Sequence, residues 1–84
     1  MTMTSTAYAD VLAVLRTEIC KVKDDLPPDV DSSALLMTDL QLDSLAVVEF
    51  VARVEEVYRF SVPDEDWQTL RCLDRVADYV LAHR

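Results

Sequence analysis

The stretch Leu42-Asp43-Ser44-Leu45-Ala46-Val47-Val48-Glu49-Phe50-Val51-Ala52-Arg53-Val54-Glu55-Glu56-Val57-Tyr58 decides how the chain folds. From Ser44 onward it holds no helix breaker, and its apolar residues recur at helical spacing. Val47, Phe50, Val51, Val54 and Tyr58 form one stripe that must face a core. Leu45, Val48 and Ala52 form a second, shorter stripe beside it. The spacing predicts a helix from about Ser44 to Tyr58, so Ser44 stands where a loop becomes a helix. There the first backbone N–H groups lack intrahelical partners, and the helix dipole is positive. Two uses of the site fit these physics. Ser44 or Asp43 can serve simply as an N-cap, the commonest use of either residue. Alternatively, the Ser44 hydroxyl can carry a phosphate, which the free N–H groups favour.

Upstream, residues 1–6 read as a polar, frayed start. From Tyr8 the apolar positions Val11, Leu12, Leu15, Ile19 and Val22 again follow helical spacing. Pro27-Pro28 forbids continuing that helix and pushes Leu26 toward extended geometry. Residues 24–43 form a long acidic loop. Ala34-Leu35-Leu36 and Leu40 are apolar plugs expected to tuck onto the core, which makes the loop ordered.

Downstream, Phe60-Ser61-Val62-Pro63 reads as an extended connection. Asp64-Glu65-Asp66 then fills the first turn of a short third helix with acid, as the dipole prefers, and Trp67 reads as that helix's anchor. A last helix over about residues 72–82 presents Leu73, Val76, Ala77, Val80 and Leu81. Nothing alternates with strand period over a useful length. The expected fold is all-α, a four-helix bundle with three main helices and one short third helix. A long ordered loop joins helices one and two, and residues 1–84 make a single domain. The chain contains no glycine, so turns fall to aspartate and proline, and no left-handed hinge of the glycine kind is expected.

Eighty-four residues can bury roughly 60–65% of their unfolded surface, too little for a deep enclosed active site. A net charge of −8 repels phosphate backbones and anionic bilayers and suits basic protein patches, so neither nucleic acid nor membrane is expected as a partner. No apolar stretch reaches the length of a membrane span and no signal peptide is legible, which points to the cytoplasm. Cys20 and Cys72 read as small buried hydrophobes rather than a disulfide. With His83 as the one histidine, neither a zinc site nor a Ser-His-Asp triad can be assembled.

Asp39-Leu40, Leu42-Asp43-Ser44-Leu45, Val48-Glu49, Glu55-Glu56 and Val62-Pro63-Asp64-Glu65-Asp66, followed by the final amphipathic helix, together resemble the acyl carrier proteins. The resemblance runs without a gap over about residues 39–80; the first helix and acidic loop fit in pattern only. It implies that Ser44 takes 4′-phosphopantetheine through a phosphodiester, with Asp43 and Leu45 flanking it. By the same likeness Leu45, Val48 and Ala52 form an apolar docking patch. Glu49, Glu55, Glu56 and Asp64 supply its acidic rim. The residues themselves agree: residues 39–66 hold eight acids against Arg53 and Arg59, a net of −6. Residues 7–23 carry a net of +1, so their acids Asp10 and Glu18 are expected to matter less. Apolar residues with an acidic rim suit brief docking to basic grooves.

Two departures from the family pattern bear on pathway. Gln41 stands where the family usually has glycine, so the turn into the site is expected to be tighter or differently biased. Ala46 replaces an acid common in carriers of fatty-acid synthesis, and Arg53 lowers the helix charge further. Both point to a dedicated carrier of polyketide or mixed peptide–polyketide biosynthesis; separately, a monomer is expected. Asp64-Glu65-Asp66-Trp67 adds a slight likeness to small stand-alone aminoacyl carriers. The implied partners are a phosphopantetheinyl transferase and the acyltransferase, ligase or synthase enzymes that load and unload the arm. Catalysis would belong to them, not to this chain. A fatty-acid carrier and an unmodified acidic helical adaptor are the alternatives. An EF-hand reading of Asp64-Glu65-Asp66 fails for want of the glycine and the ligand spacing.

Overall fold

The computed structural model describes residues 3–83, with side chains from residue 7. Three α-helices, α1 (Met3–Val22), α2 (Ser44–Tyr58) and α3 (Leu73–His83), are joined by a long loop and a short 3-10 helix, Asp64–Thr69. This is the expected all-α, four-helix arrangement. α1 packs against both α2 and α3. It begins at Met3, ahead of Tyr8, so residues 3–6 of the expected frayed start are helical in backbone; Met1 and Thr2 lie outside the described residues. α3 begins one residue later than expected, because Cys72 is its cap and its carbonyl accepts from Val76 N–H at 3.1 Å.

The core forms where the predicted stripes meet. Val11, Leu15 and Ile19 of α1, Phe50, Val51 and Val54 of α2, and Leu73, Val76, Ala77 and Val80 of α3 are buried together. Phe50 is completely buried; its truncation to alanine would cost about 3–5 kcal/mol, most of what a domain this small has. Val47 and Tyr58, placed on the core stripe by their spacing, are only half-buried at its edge. Cys20 and Cys72 are free and half-buried rather than fully buried.

The loop is ordered, but two of its plugs behave differently. Leu36 is buried and Leu40 half-buried, as expected, whereas Leu35 is 43% exposed. Its backbone explains this: the Leu35 carbonyl accepts from both Asp39 and Leu40 N–H, while its own N–H donates to Asp39 Oδ2. That turn directs Leu36 inward and Leu35 out. Val30 and Leu42 are the further buried residues of the loop. At the Asp31 turn, hydrogen bonds from Ser33 N–H and Oγ hold the Asp31 carboxyl below its ordinary pKa. Arg16 Nε donates to the Val30 carbonyl at 2.9 Å, tying the same segment to α1. Two backbone bonds then fasten the loop to the start of α3: Leu36 N–H to Arg71 O at 2.8 Å, and Asp74 N–H to Ser32 O at 2.9 Å.

Candidate functional site

The site is built on the first turn of α2. Asp43 adopts extended backbone geometry and its Oδ1 accepts from Ala46 N–H at 2.8 Å, while its carbonyl accepts from Val47 N–H. Asp43, not Ser44, is therefore the N-cap. Ser44 is the first residue of the helix, exposed, and its Oγ makes no hydrogen bond among the described residues. The N–H groups of Ser44 and Leu45 likewise find no partner among them. A solvent-facing hydroxyl beside two free donors and the positive end of a helix dipole suits a covalent phosphate.

Leu42 is buried next to this hydroxyl and fixes where the loop ends. Gln41 holds φ of 59°, so the turn into the site runs through a left-handed residue despite the missing glycine. The glutamine adopts the left-handed geometry a glycine would, at about 1 kcal/mol of backbone strain. Arg59 does the same at the C-terminal end of α2, with φ 58° and its N–H bonded to Glu55 O. Left-handed positions therefore exist here without glycine.

Leu45, Val48, Glu49, Ala52 and Glu56 recur at intervals that place them on one face of α2, opposite Phe50, Val51 and Val54. All five are exposed, Leu45 to 78% and Val48 to 45%. With Ala52, Leu45 and Val48 thus make a small exposed apolar patch on the helix that Ser44 opens. Glu56 and Asp64 are exposed and make no ion pair among the described residues.

Two of the acids are not free. Glu49 pairs with Arg53 at 3.4 Å, and Arg53 also reaches Glu18 of α1 at 3.7 Å, with Lys21 on the far side of Glu18 at 3.2 Å. Glu18 is accordingly buried in an interhelical network, not a plain solvated acid of α1. Glu55 departs furthest from its expected role. It is half-buried, and its Oε2 accepts from Val62 N–H at 2.7 Å, so its carboxylate braces the chain after α2 instead of lining the rim.

Trp67 is the anchor its position suggests. Its Nε1 donates to Val62 O at 3.0 Å, and the adjacent Asp66 accepts from Tyr79 of α3 at 2.7 Å. Among the described residues no group of three or more His, Cys, Asp or Glu is placed to hold a metal ion, and no helix is long and apolar enough to cross a membrane. Missing from the sequence reading was an apolar cleft of about 370 Å³ between the loop, α2 and the 3-10 helix. It is lined in part by Val47 and Trp67, and the half-burial of Val47 is its trace.

A family model described as "Phosphopantetheine attachment site" matches residues 9–80. Among curated proteins, the chain is 32% identical over 76 residues to the non-reducing polyketide synthase Preu3 of Preussia isomera, covering 90% of this chain and 3% of the synthase. It is 36% identical over 62 residues to the mitochondrial acyl carrier protein of Neurospora crassa, covering 74% of this chain and 45% of that protein. It is 32% identical over 56 residues to the acyl carrier protein of Rubrobacter xylanophilus, covering 67% and 69%. Thus the chain spans only a small part of the synthase and under half of the mitochondrial protein. Among solved structures, the acyl carrier protein of Enterococcus faecalis superposes with a TM-score of 0.76 at 26% identity, covering 92% of this chain and 98% of the other.

Proposed function

Because the chain belongs to the phosphopantetheine attachment-site family of acyl carrier proteins, we propose that Ser44 is the residue that bears its prosthetic group and that the exposed face of α2 is read by its partner enzymes. The prosthetic group is 4′-phosphopantetheine, and the protein is a carrier without catalytic activity of its own. The observation that carries the assignment to Ser44 is the division of labour at the start of α2. Asp43 satisfies the helix cap, which leaves the Ser44 hydroxyl exposed and unengaged.

The residues fit the group. The N–H groups of Ser44 and Leu45 are without partners among the described residues, and the exposed Ser44 side chain leaves room for a phosphate at this helix start. When bound, the arm supplies a terminal thiol that holds an acyl or aminoacyl group as a thioester. The chain's own residues do the rest. α2 orients the attachment point, Leu45, Val48 and Ala52 offer apolar contact, and Glu49, Glu56 and Asp64 attract basic patches on the transferase and on acyltransferase, ligase or synthase partners. Docking through so small a charged surface is brief, and tethering raises the local concentration of the cargo at each partner.

The pathway we propose is polyketide or mixed peptide–polyketide biosynthesis, with the carrier acting as a cytoplasmic monomer. Supporting this are Ala46 on α2 and the Arg53–Glu49 pair, which reduce the negative charge of the docking helix. The likeness to the synthase segment, which takes in nine-tenths of this chain, supports it too. Fatty-acid synthesis is the second reading, favoured by the likeness to the two acyl carrier proteins. Incubation with coenzyme A and a broad-specificity phosphopantetheinyl transferase tests the site. Intact-mass analysis should show one added arm, and peptide mapping should place it on Ser44. An arm on any other residue, or no gain of mass, overturns the assignment.

A further inference from the structure

The cleft between the loop, α2 and the 3-10 helix has a chemistry unlike the rest of the surface. Leu36, Met37, Val47, Trp67 and Leu70 give it apolar walls, and Arg71 lies among its lining residues. None of the nine lining residues is acidic, in a chain with 16 acids and a net charge of −8. The Arg71 carbonyl is held by Leu36 N–H, and its Nε donates to Gln68 O at 3.1 Å. Its two terminal nitrogens have no carboxylate partner among the described residues.

The cleft also lies close to the attachment point. Val47 is three residues after Ser44, about 4.5 Å along the helix axis. A volume of about 370 Å³ falls in the range of clefts that hold small ligands. An apolar chain suits the walls, and a planar guanidinium without a partner suits a carboxylate, which it can bind through two parallel hydrogen bonds. From this geometry we infer that the cleft sorts the carrier's cargo by charge: it receives acyl groups that end in a carboxylate, and Arg71 is the specificity-determining residue. The inference rests on the reading of Ser44 as the attachment site. Since Arg71 lines the cleft and is exposed, the preference over an uncharged acyl group of equal length is modest, about two- to five-fold in the ratio of seated to unseated cargo.

The test uses the full chain with its arm unacylated, pentanoylated or glutarylated, each load transferred from the corresponding coenzyme A thioester and verified by mass. Trp67, the one tryptophan, is half-buried in the cleft wall, so its protection from acrylamide quenching reports seating. The glutaryl load should protect Trp67 more than the pentanoyl load. Arg71→Gln should remove that difference while leaving the pentanoyl value unchanged. Arg71→Lys, with charge but no fork, should retain part of it. Matching urea midpoints for the three proteins establish that the fold is intact. Equal protection by the two loads, or a glutaryl advantage that survives in Arg71→Gln, overturns the inference. So does full, Arg71-dependent protection by the unacylated arm, which would mean that Arg71 holds the arm's own phosphate. Failure of Ser44 to gain any mass instead strikes the carrier reading.

Discussion

The Glu55 carboxylate accepts a hydrogen bond from Val62 N–H at 2.7 Å, and the Val62 carbonyl accepts one from the Trp67 indole at 3.0 Å. These two bonds fix the connection from α2 to the 3-10 helix. Val62 is buried, so losing the acceptor leaves its N–H unsatisfied. Glu55→Ala should cost about 1–3 kcal/mol and shift Trp67 emission toward that of exposed indole. Glu55→Gln keeps an oxygen acceptor and should cost distinctly less. Equal losses in urea midpoint for the two variants would show that charge, not the hydrogen bond, is what matters there.

Capping and attachment should separate cleanly between neighbours. Ser44→Ala removes no hydrogen bond, so its stability should stay within about 0.5 kcal/mol of the parent while arm attachment is lost. Asp43→Ala removes the cap on Ala46 N–H and should cost about 0.5–2 kcal/mol. Urea denaturation and intact mass measured on both variants check the pair. Destabilisation by Ser44→Ala as large as that by Asp43→Ala would refute the division.

Recognition by the transferase should depend on the acids that remain unpaired. Glu56→Lys and Asp64→Lys should each slow arm attachment several-fold at low salt, with little effect on the fold. The deficit should shrink as ionic strength rises past about 0.15 M, where the Debye length is about 8 Å. Glu49→Lys is a less clean probe, since it also leaves Arg53 facing a like charge. Asp10→Lys on α1 is the proper control, Glu18 being committed to Arg53 and Lys21. Slowing by Asp10→Lys equal to that by Glu56→Lys would place docking elsewhere.

Stability should fall in alkali in a way traceable to Tyr8. Burial and the hydrogen bond it donates to Asp74 raise the Tyr8 hydroxyl well above its ordinary value. The hydrogen bond from Tyr79 to Asp66 raises Tyr79 in the same direction. A raised value means that the folded chain holds the proton more tightly than the unfolded one. The contribution is therefore complete below the ordinary tyrosine range near pH 10 and is lost as pH climbs toward the folded value. Tyr8→Phe should cost about 1 kcal/mol at neutral pH, and its deficit against the parent should narrow in urea titrations above about pH 10. A deficit that is constant with pH would show that the Tyr8 hydroxyl holds its proton no more tightly in the folded chain than in the unfolded one.

The helices were legible because their stripes are long and regular; Phe50, Val51 and Val54 could face nothing but a core. The start of α2 at Ser44 was legible because the Asp43-Ser44 motif and the onset of an apolar stripe coincide there. What escaped depended on distant parts of the chain. Nothing near Glu55 in sequence says that its carboxylate will meet Val62 N–H after a left-handed Arg59 has turned the chain back. Leu35 and Leu36 look alike in sequence and diverge only because Asp39 turns the loop between them. Gln41 reads as a departure in composition, yet the backbone there is left-handed all the same, against the side chain's preference. The cleft was invisible because Val47, Trp67 and Arg71 come from separate elements.

The bonds from Leu36 N–H to Arg71 O and from Asp74 N–H to Ser32 O give the loop a cooperativity its lack of helix would not suggest. Peeling it away would break both and uncover Val30 and Leu36 together, so the loop should open with the start of α3 as one unit and the Leu36 and Asp74 amides should exchange slowly with solvent. A stretch that looks like a tether is part of the rigid frame. The freedom a carrier needs is then left to its prosthetic group, and the protein itself acts as a fixed mooring.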